Sequence, residues 1–422
     1  MTKERYKRDI QYYKFCLYGF FKNLRFFEAF ILLFFLSKGL DYWQIGLVYT
    51  LREVTRNILE IPSGVIADSY GRRTSLALSF LLYVVSYLVF YFSASWGVIM
   101  AAMFFYAVGD ALRSGTHKAM IYSYMHEKGW EQQKTAYYGI TRSWSKMGSA
   151  ICSIGGGIFI WYSQDYNSIF LFSVIPAFIN ILMIMSYPRY LERNKATDDN
   201  RKKDSAFSAI KNTFKRLWGQ MGKLKFWYTT NLVSMHTGFY KTVKDYLQPI
   251  LATVALSIPL LEDQSVTRRE ALWVGLIFFV IYLMSSFASR NAGRFARLIN
   301  NPLKSLRLTM YAGLTAGLAG GALAWFGFEW ISVILLVMIF VIENIRKPIG
   351  FANIADTSSE VTWASVLSLE GQISSLYAAL LAPLLGVFAD IYGPGFGLAV
   401  ISLIALVFSL VTDTLQKKTP ES

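Results

Sequence analysis

Twelve runs of mostly apolar residues follow one another along this chain. They lie at about 14–37, 44–67, 74–93, 97–122, 139–161, 168–187, 227–250, 271–289, 306–326, 330–349, 366–389 and 395–412. Each is near the ~20 residues that a helix needs to cross a bilayer. Inside hydrocarbon every backbone N–H and C=O must be satisfied within the segment, so runs of this length fold as helices. The expected fold is therefore all-α and integral to a membrane, with twelve transmembrane helices. At 54% hydrophobic and 16% charged residues, the composition is that of a membrane chain and not of a soluble domain.

The net charge of +15 would suggest nucleic acid in a soluble protein. Here the basic residues gather between the apolar runs. Residues 189–225 hold eleven Lys/Arg against four Asp/Glu, and Arg290, Arg294, Arg297, Lys304 and Arg307 share a loop that contains no acid. With twelve spans these loops and the basic N-terminus fall on one side, while 93–96 and 163–167 on the other carry almost no basic residues. The positive-inside rule then places both termini in the cytoplasm, and makes the lipid bilayer, not nucleic acid, the partner. The first run lacks a small-residue cleavage site and reads as a retained helix. The basic linker divides the chain into a six-helix bundle at 1–188, a cytoplasmic linker at 189–225 and a second six-helix bundle at 226–422.

One junction between spans carries unusual chemistry. Gly64-Val65-Ile66-Ala67-Asp68-Ser69-Tyr70-Gly71-Arg72-Arg73 brings two glycines, an acid and two arginines to the turn between spans two and three. Gly64 permits close helix contact, Gly71 a turn that a Cβ resists, and Asp68 a cap or an ion pair with Arg72 or Arg73. A second string, Gly386-Val387-Phe388-Ala389-Asp390-Ile391-Tyr392-Gly393, is nearly the same but lacks the arginines and sits at the outer end of span eleven. It reads as a helix exit. Span five carries Gly139, Gly148, Cys152, Ser153, Gly156 and Gly157, small residues whose spacing permits close packing and bending.

The first string resembles the G-x-x-x-D-x-x-G-R-[RK] signature of the major facilitator superfamily. The span-five residues resemble its antiporter motif, with Cys152-Ser153 in place of a Gly-Pro pair. The resemblance covers essentially the whole chain and looks closest to bacterial drug-efflux-type members, on LEIPSGVIADSYGRR, SGTHKAMIYSY and WASVLSLEGQISSL. It implies the major facilitator fold, two six-helix bundles that rock about a midplane cavity, in the plasma membrane of a bacterium. It also implies a conformational latch made by Gly64, Asp68, Gly71, Arg72 and Arg73. The region between spans eight and nine lacks the corresponding acid, so the latch is asymmetric. In efflux members the fourth-span stretch often ends in an acid, where this chain has Ser123.

Charges inside the spans cost roughly 2.5–3.5 kcal/mol each at a helix centre, so they face a cavity or one another. Arg25 and Glu28 share a face of span one; span two carries Arg52, Glu53, Arg56 and Glu60, span four Asp110 and Arg113, span seven Lys241, Lys244 and Asp245, and span ten Glu343, Arg346 and Lys347. On one reading these are mutually neutralised pairs that hold helices together. On the other, Glu28, Glu53 or Asp110 takes up a proton when an adjacent cation withdraws and releases it on return, with Arg113 as the coupling cation. Arg25, Arg52, Arg56, Lys241 and Asp245, with the mid-span aromatics Tyr106, Phe239 and Tyr240, are the candidate solute contacts; core packing is the competing role for the aromatics.

No G-x4-G-K-[ST] occurs, so a proton gradient and not ATP is the expected energy source, with no cofactor. Cys16 and Cys152 and three scattered histidines form no disulfide framework or metal pattern. No reactive arrangement of an enzyme and no filter-like loop of a channel stands out. The sequence reads as a secondary transporter, expected as a monomer: a proton-coupled antiporter exporting amphipathic small molecules by alternating access. The alternative is proton- or ion-coupled uptake of a small anionic metabolite.

Overall fold

The computed structural model describes residues 8–114, 116–130, 134–192, 224–299, 301–356 and 363–418, apart from some side chains within them. The described residues form fourteen α-helices and one 3-10 turn, and no strand. In chain order the helices are α1 (Ile10–Lys22), α2 (Ile31–Ser37), α3 (Tyr42–Tyr70), α4 (Arg72–Tyr91), α5 (Trp96–Arg113), α6 (Thr116–Glu127), α7 (Lys134–Ser163) and α8 (Ser168–Met185). They continue as α9 (Leu224–Ser257), α10 (Val266–Ile299), α11 (Pro302–Trp325), α12 (Glu329–Asp356), α13 (Trp363–Tyr392) and α14 (Pro394–Lys418).

The all-α expectation holds. The fourteen helices fit twelve segments of which the first and fourth are interrupted, a detail the sequence reading missed. Span one stops at Lys22 and resumes at Ile31; span four stops at Arg113 and resumes at Thr116. The first break has no proline or glycine. Its freed backbone groups are taken up by neighbours: Asn23 Nδ2 donates to the Gly19 carbonyl at 2.8 Å, and Phe26 N–H to Ser173 Oγ at 3.0 Å. Non-helical backbone is tolerated at membrane depth only where protein supplies such partners.

Six helices among the described residues are long and apolar enough to cross a membrane on composition alone. The others carry the charges noted above. Large apolar side chains such as Ile175, Phe287, Ile334 and Leu380 stand in the open. Surrounded by water they would drive aggregation; against lipid tails they cost nothing.

The chain divides into two compact units, Met1–Phe30 with Thr55–Ala206, and Ile31–Val54 with Phe207–Ser422. In the first, α4 packs on α5 and α8, and α1 on α7. Its core includes a stack of Phe27, Phe170 and Phe90, with ring centroids 5.0 and 4.8 Å apart. In the second, α11 packs on α12 and α14, and α9 on α13. A sealed polar knot sits among α9, α11 and α12. His236 Nδ1 lies 2.7 Å from Glu343 Oε2, and Thr237 Oγ1 donates to Glu343 Oε1 at 2.9 Å. Arg346, fully buried, donates to the carbonyls of Leu306 and Leu232 and to Thr309 Oγ1. With its charge met by carbonyl oxygens and with Glu343 one helical turn away, Arg346 acts as an internal brace.

Candidate functional site

In the first unit, the breaks in spans one and four carry one polar cluster. Ending α5 one turn after Asp110 leaves Arg113 free to fold back, and its guanidinium meets Asp110 Oδ1 at 2.5 Å. Arg56 reaches the other carboxylate oxygen at 3.3 Å from α3. Tyr83 on α4 donates its hydroxyl to Asp110 at 2.8 Å and accepts from Arg113 Nε at 3.0 Å. Asp110 is thus a carboxylate set between two guanidinium groups and a phenol. Within the span-one break, Arg25 pairs with Glu28 at 2.8 Å and bonds the Tyr106 hydroxyl. The side chains of Arg25, Arg56 and Arg113 remain 20%, 30% and 19% accessible, so the cluster is open enough to be reached.

The second unit has its own cluster on α3 and α9. Glu53 accepts from Arg52 and from Lys241, both at 3.2 Å, and Arg52 lies 3.5 Å from Asp245. Lys241 also donates to Ser375 Oγ at 2.9 Å, and the Arg52 guanidinium lies 4.8 Å from the centre of the Tyr49 ring. The partners of Arg56 and Lys241 therefore include acids on other helices, beyond the i,i+4 neighbours that spacing alone suggests. Tyr240 meets Phe340 edge-on, and Phe239 stands apart in the core, fully buried with its ring tip against Gly317.

At the turn between α3 and α4, Gly71 has φ +101° and is itself the N-cap, so no side chain caps α4. Arg72 N–H donates to the Glu192 carbonyl at 3.1 Å, and Arg72 Nη1 to Ser123 Oγ at 2.8 Å. Ser123 thus meets the turn arginine from the position where an acid was expected. Arg73 bonds the Met185 carbonyl at 2.6 Å, and Glu192, which the sequence did not single out, accepts from Thr74 at 3.2 Å. Gly64 faces open space, and the side chain of Asp68 lies outside the described residues. A double-mutant cycle tests the Arg72–Ser123 link. Arg72→Ala and Ser123→Ala should each lower unfolding free energy by about 1.5–3 kcal/mol, the worth of a charge-assisted bond, and the pair should cost clearly less than the sum. Additive losses would show the two side chains to be uncoupled.

The span-five residues serve the span-one break. A Cβ on Gly148 would stand 2.5 Å from the Phe20 carbonyl oxygen, and one on Gly156 would overlap the carbonyl of Phe26. Gly155, not picked out by the motif, lies under the Phe26 ring. Cys152, Ser153 and Gly157 are buried, with Ser153 Oγ donating to the Ala150 carbonyl at 2.8 Å; Gly139 falls within α7, and its surroundings lie outside what the structure describes. The missing side chains form a cradle that lets the backbone on both sides of the break lie against α7.

The second glycine-acid string ends α13, with Gly393 at φ +89°. Asp390 does more: its two carboxylate oxygens accept from Tyr42 N–H at 2.7 Å and Trp43 N–H at 2.8 Å, capping the start of α3 together with Asp41. Sequence reasoning also passed over Lys22 and Tyr83. The signal for Lys22 was its place one turn before Arg25 on the same span.

Residues 16–355 match the family model of the Major Facilitator Superfamily. The chain is 24% identical over 402 residues to an uncharacterised MFS-type transporter, YxaM, of Bacillus subtilis (strain 168), covering 94% of this chain and 92% of that one. Among solved structures it is similar in fold to the nucleoside transporter NupG, with TM-score 0.71, 11% identity and coverage of 96% and 98%. It is also similar to a bacterial homologue of the lysosomal transporter Spinster, with TM-score 0.70, 13% identity and 98% of each chain covered. A D-xylose–proton symporter gives TM-score 0.66 at 13% identity, over 95% and 97%.

Proposed function

This chain belongs to the major facilitator superfamily and is a membrane transporter; from that premise we propose that it is a proton-coupled antiporter exporting amphipathic small molecules by alternating access. The observation that supports this most is the setting of Asp110. Two arginines and a tyrosine contact its side chain, and the longer of its two arginine contacts, to Arg56 at 3.3 Å, joins it to another helix. Withdrawal of one arginine makes proton uptake by Asp110 favourable, and its return expels the proton. Glu53, between Arg52 and Lys241, supplies the same logic in the second cluster, and Glu28 beside Arg25 at the break. The solute is met by Arg25, Arg52, Arg56, Tyr106, Tyr240, Lys241 and Asp245. Gly64, Asp68, Gly71, Arg72 and Arg73 serve as the conformational latch. The protein works as a monomer in a bacterial plasma membrane, both termini in the cytoplasm, without a cofactor. A second reading, proton-coupled uptake of a small anionic metabolite, is favoured by the excess of cations in the first cluster.

The direction of proton movement decides between them. Proteoliposomes carrying a lumenal pH dye receive lipophilic cations, neutral drugs or organic anions outside, with protein-free vesicles subtracted. Antiport alkalinises the lumen as solute enters; symport acidifies it. We expect alkalinisation, lost in Asp110→Asn and Glu53→Gln. Acidification would establish the uptake reading, and no response to any solute would remove proton coupling altogether.

A further inference from the structure

We propose that the cluster at the break of span one binds the anionic group of the solute, with Lys22 as its anchor, so that the substrates are organic carboxylates or phosphates. This rests on the transport reading and adds the chemistry of what is carried. Cations outnumber acids in this cluster. Arg25 pairs with Glu28, Arg56 and Arg113 pair with Asp110, Lys22 lies among these charges, and Glu60 lies one turn along α3 from Arg56. Even with Glu60 assigned to Arg56, one cation is left over. Contacts identify it: Arg25 is matched by Glu28, and Arg113 and Arg56 by Asp110. Lys22 makes no ion pair or hydrogen bond among the described residues, although Arg113, Arg25, Asp110 and Glu28 are the charges that act on it.

A second observation points the same way. Within the break, three residues from Lys22, the Nε–H of Arg25 is buried without an acceptor among the described residues. An uncompensated ammonium at membrane depth and an unsatisfied guanidinium N–H are both costly. One bound oxyanion relieves both. A cationic solute would add to the surplus, and a neutral one would leave it in place. The Nε groups of Arg73 and Arg269 are likewise unpartnered among the described residues, but those guanidinium groups donate to backbone carbonyls away from this cluster. Glu53 and Asp245 engage Arg52 and Lys241, and carbonyl oxygens satisfy Arg346. The break itself makes the position usable, because it ends α1 at Lys22 and turns Arg25 and Glu28 aside from a continuous helix wall.

The test uses four ligands of one shape on the purified full-length chain in micelles, at constant ionic strength in sodium chloride: phenylacetate, phenyl phosphate, 2-phenylethanol and 2-phenylethylamine. The readout is the thermal unfolding midpoint as a function of ligand concentration. Saturable stabilisation by at least one anion is expected, with none by the alcohol or the amine; the stronger anion distinguishes carboxylate from phosphate substrates. Lys22→Gln should raise the half-saturating concentration about 10-fold, the order expected for loss of a charge-assisted contact. Lys22→Arg should retain binding, and Lys128→Gln, at an exposed site, should match wild type. Equal stabilisation by the amine or the alcohol, no stabilisation by either anion, or a wild-type response from Lys22→Gln overturns the proposal. If Lys22→Gln does not fold, the ligand order on wild type and Lys22→Arg decides. No proton movement is measured, so failure here leaves the coupling reading standing, and failure of coupling leaves this result intact.

Discussion

Asp110→Asn is expected to abolish solute-driven proton movement and to destabilise the chain by about 3 kcal/mol or more, the cost of breaking a buried pair from one side. The amide keeps the shape of the carboxylate and the hydrogen bond from Tyr83, but removes the charge that Arg56 and Arg113 share. Two guanidinium groups are then left facing each other with no counter-charge between them. The unfolding midpoint reads the stability term, and lumenal pH reads the coupling. Asp110→Glu, which restores the charge with one extra methylene, should recover most of the stability and part of the proton movement. An Asp110→Asn protein that is as stable as wild type and still moves protons would place the titrating acid elsewhere, with Glu28 and Glu53 next in line.

The second large effect is a reversal of sign between two identical substitutions. Gly156→Ala should destabilise by roughly 1–3 kcal/mol, because the new methyl meets the carbonyl of Phe26 and the ring of Phe30, and a backbone carbonyl cannot swing aside as a side chain does. Gly64→Ala should stabilise by up to ~1 kcal/mol, because a helical glycine in open space gains propensity and meets nothing. Both are read by unfolding in micelles. Shifts of the same sign would mean that α7 does not bear on the span-one break in the way described. The Gly156→Ala loss should also appear in transport, since the cradle holds the segment bearing Arg25 and Glu28.

Much of this architecture was legible because hydrocarbon imposes simple rules. Apolar length gave the spans, the Gly71-Arg72-Arg73 turn gave the family, and charge in an apolar run marked Arg25, Glu28, Asp110 and Arg113. What stayed hidden was tertiary. Asn23–Phe30 contains no helix breaker, and its break depends on Ser173 and on glycines more than 120 residues away. The pairing of Arg56 with Asp110 and of Lys241 with Glu53 joins different helices, which spacing within one helix does not report. Phe239 looked like a cavity residue because aromatic mid-span positions serve both roles; Gly317, 78 residues on, makes room for it in the core. Ser123 shows the reverse case. The sequence marked the position by a missing acid, and the structure fills the contact with a hydroxyl.

The capping of α3 by Asp390 has a consequence for how this chain tolerates sequence drift. The carboxylate is received by the amides of residues 42 and 43, not by their side chains. Every amino acid except proline offers that amide, so Tyr42 and Trp43 are free to vary without loss of the joint. Selection on it falls almost wholly on Asp390, with Asp41 sharing the same helix end. An attachment that asks nothing of one partner is robust on that side and brittle on the other: a single base change at codon 390 undoes what no ordinary change at 42 or 43 can.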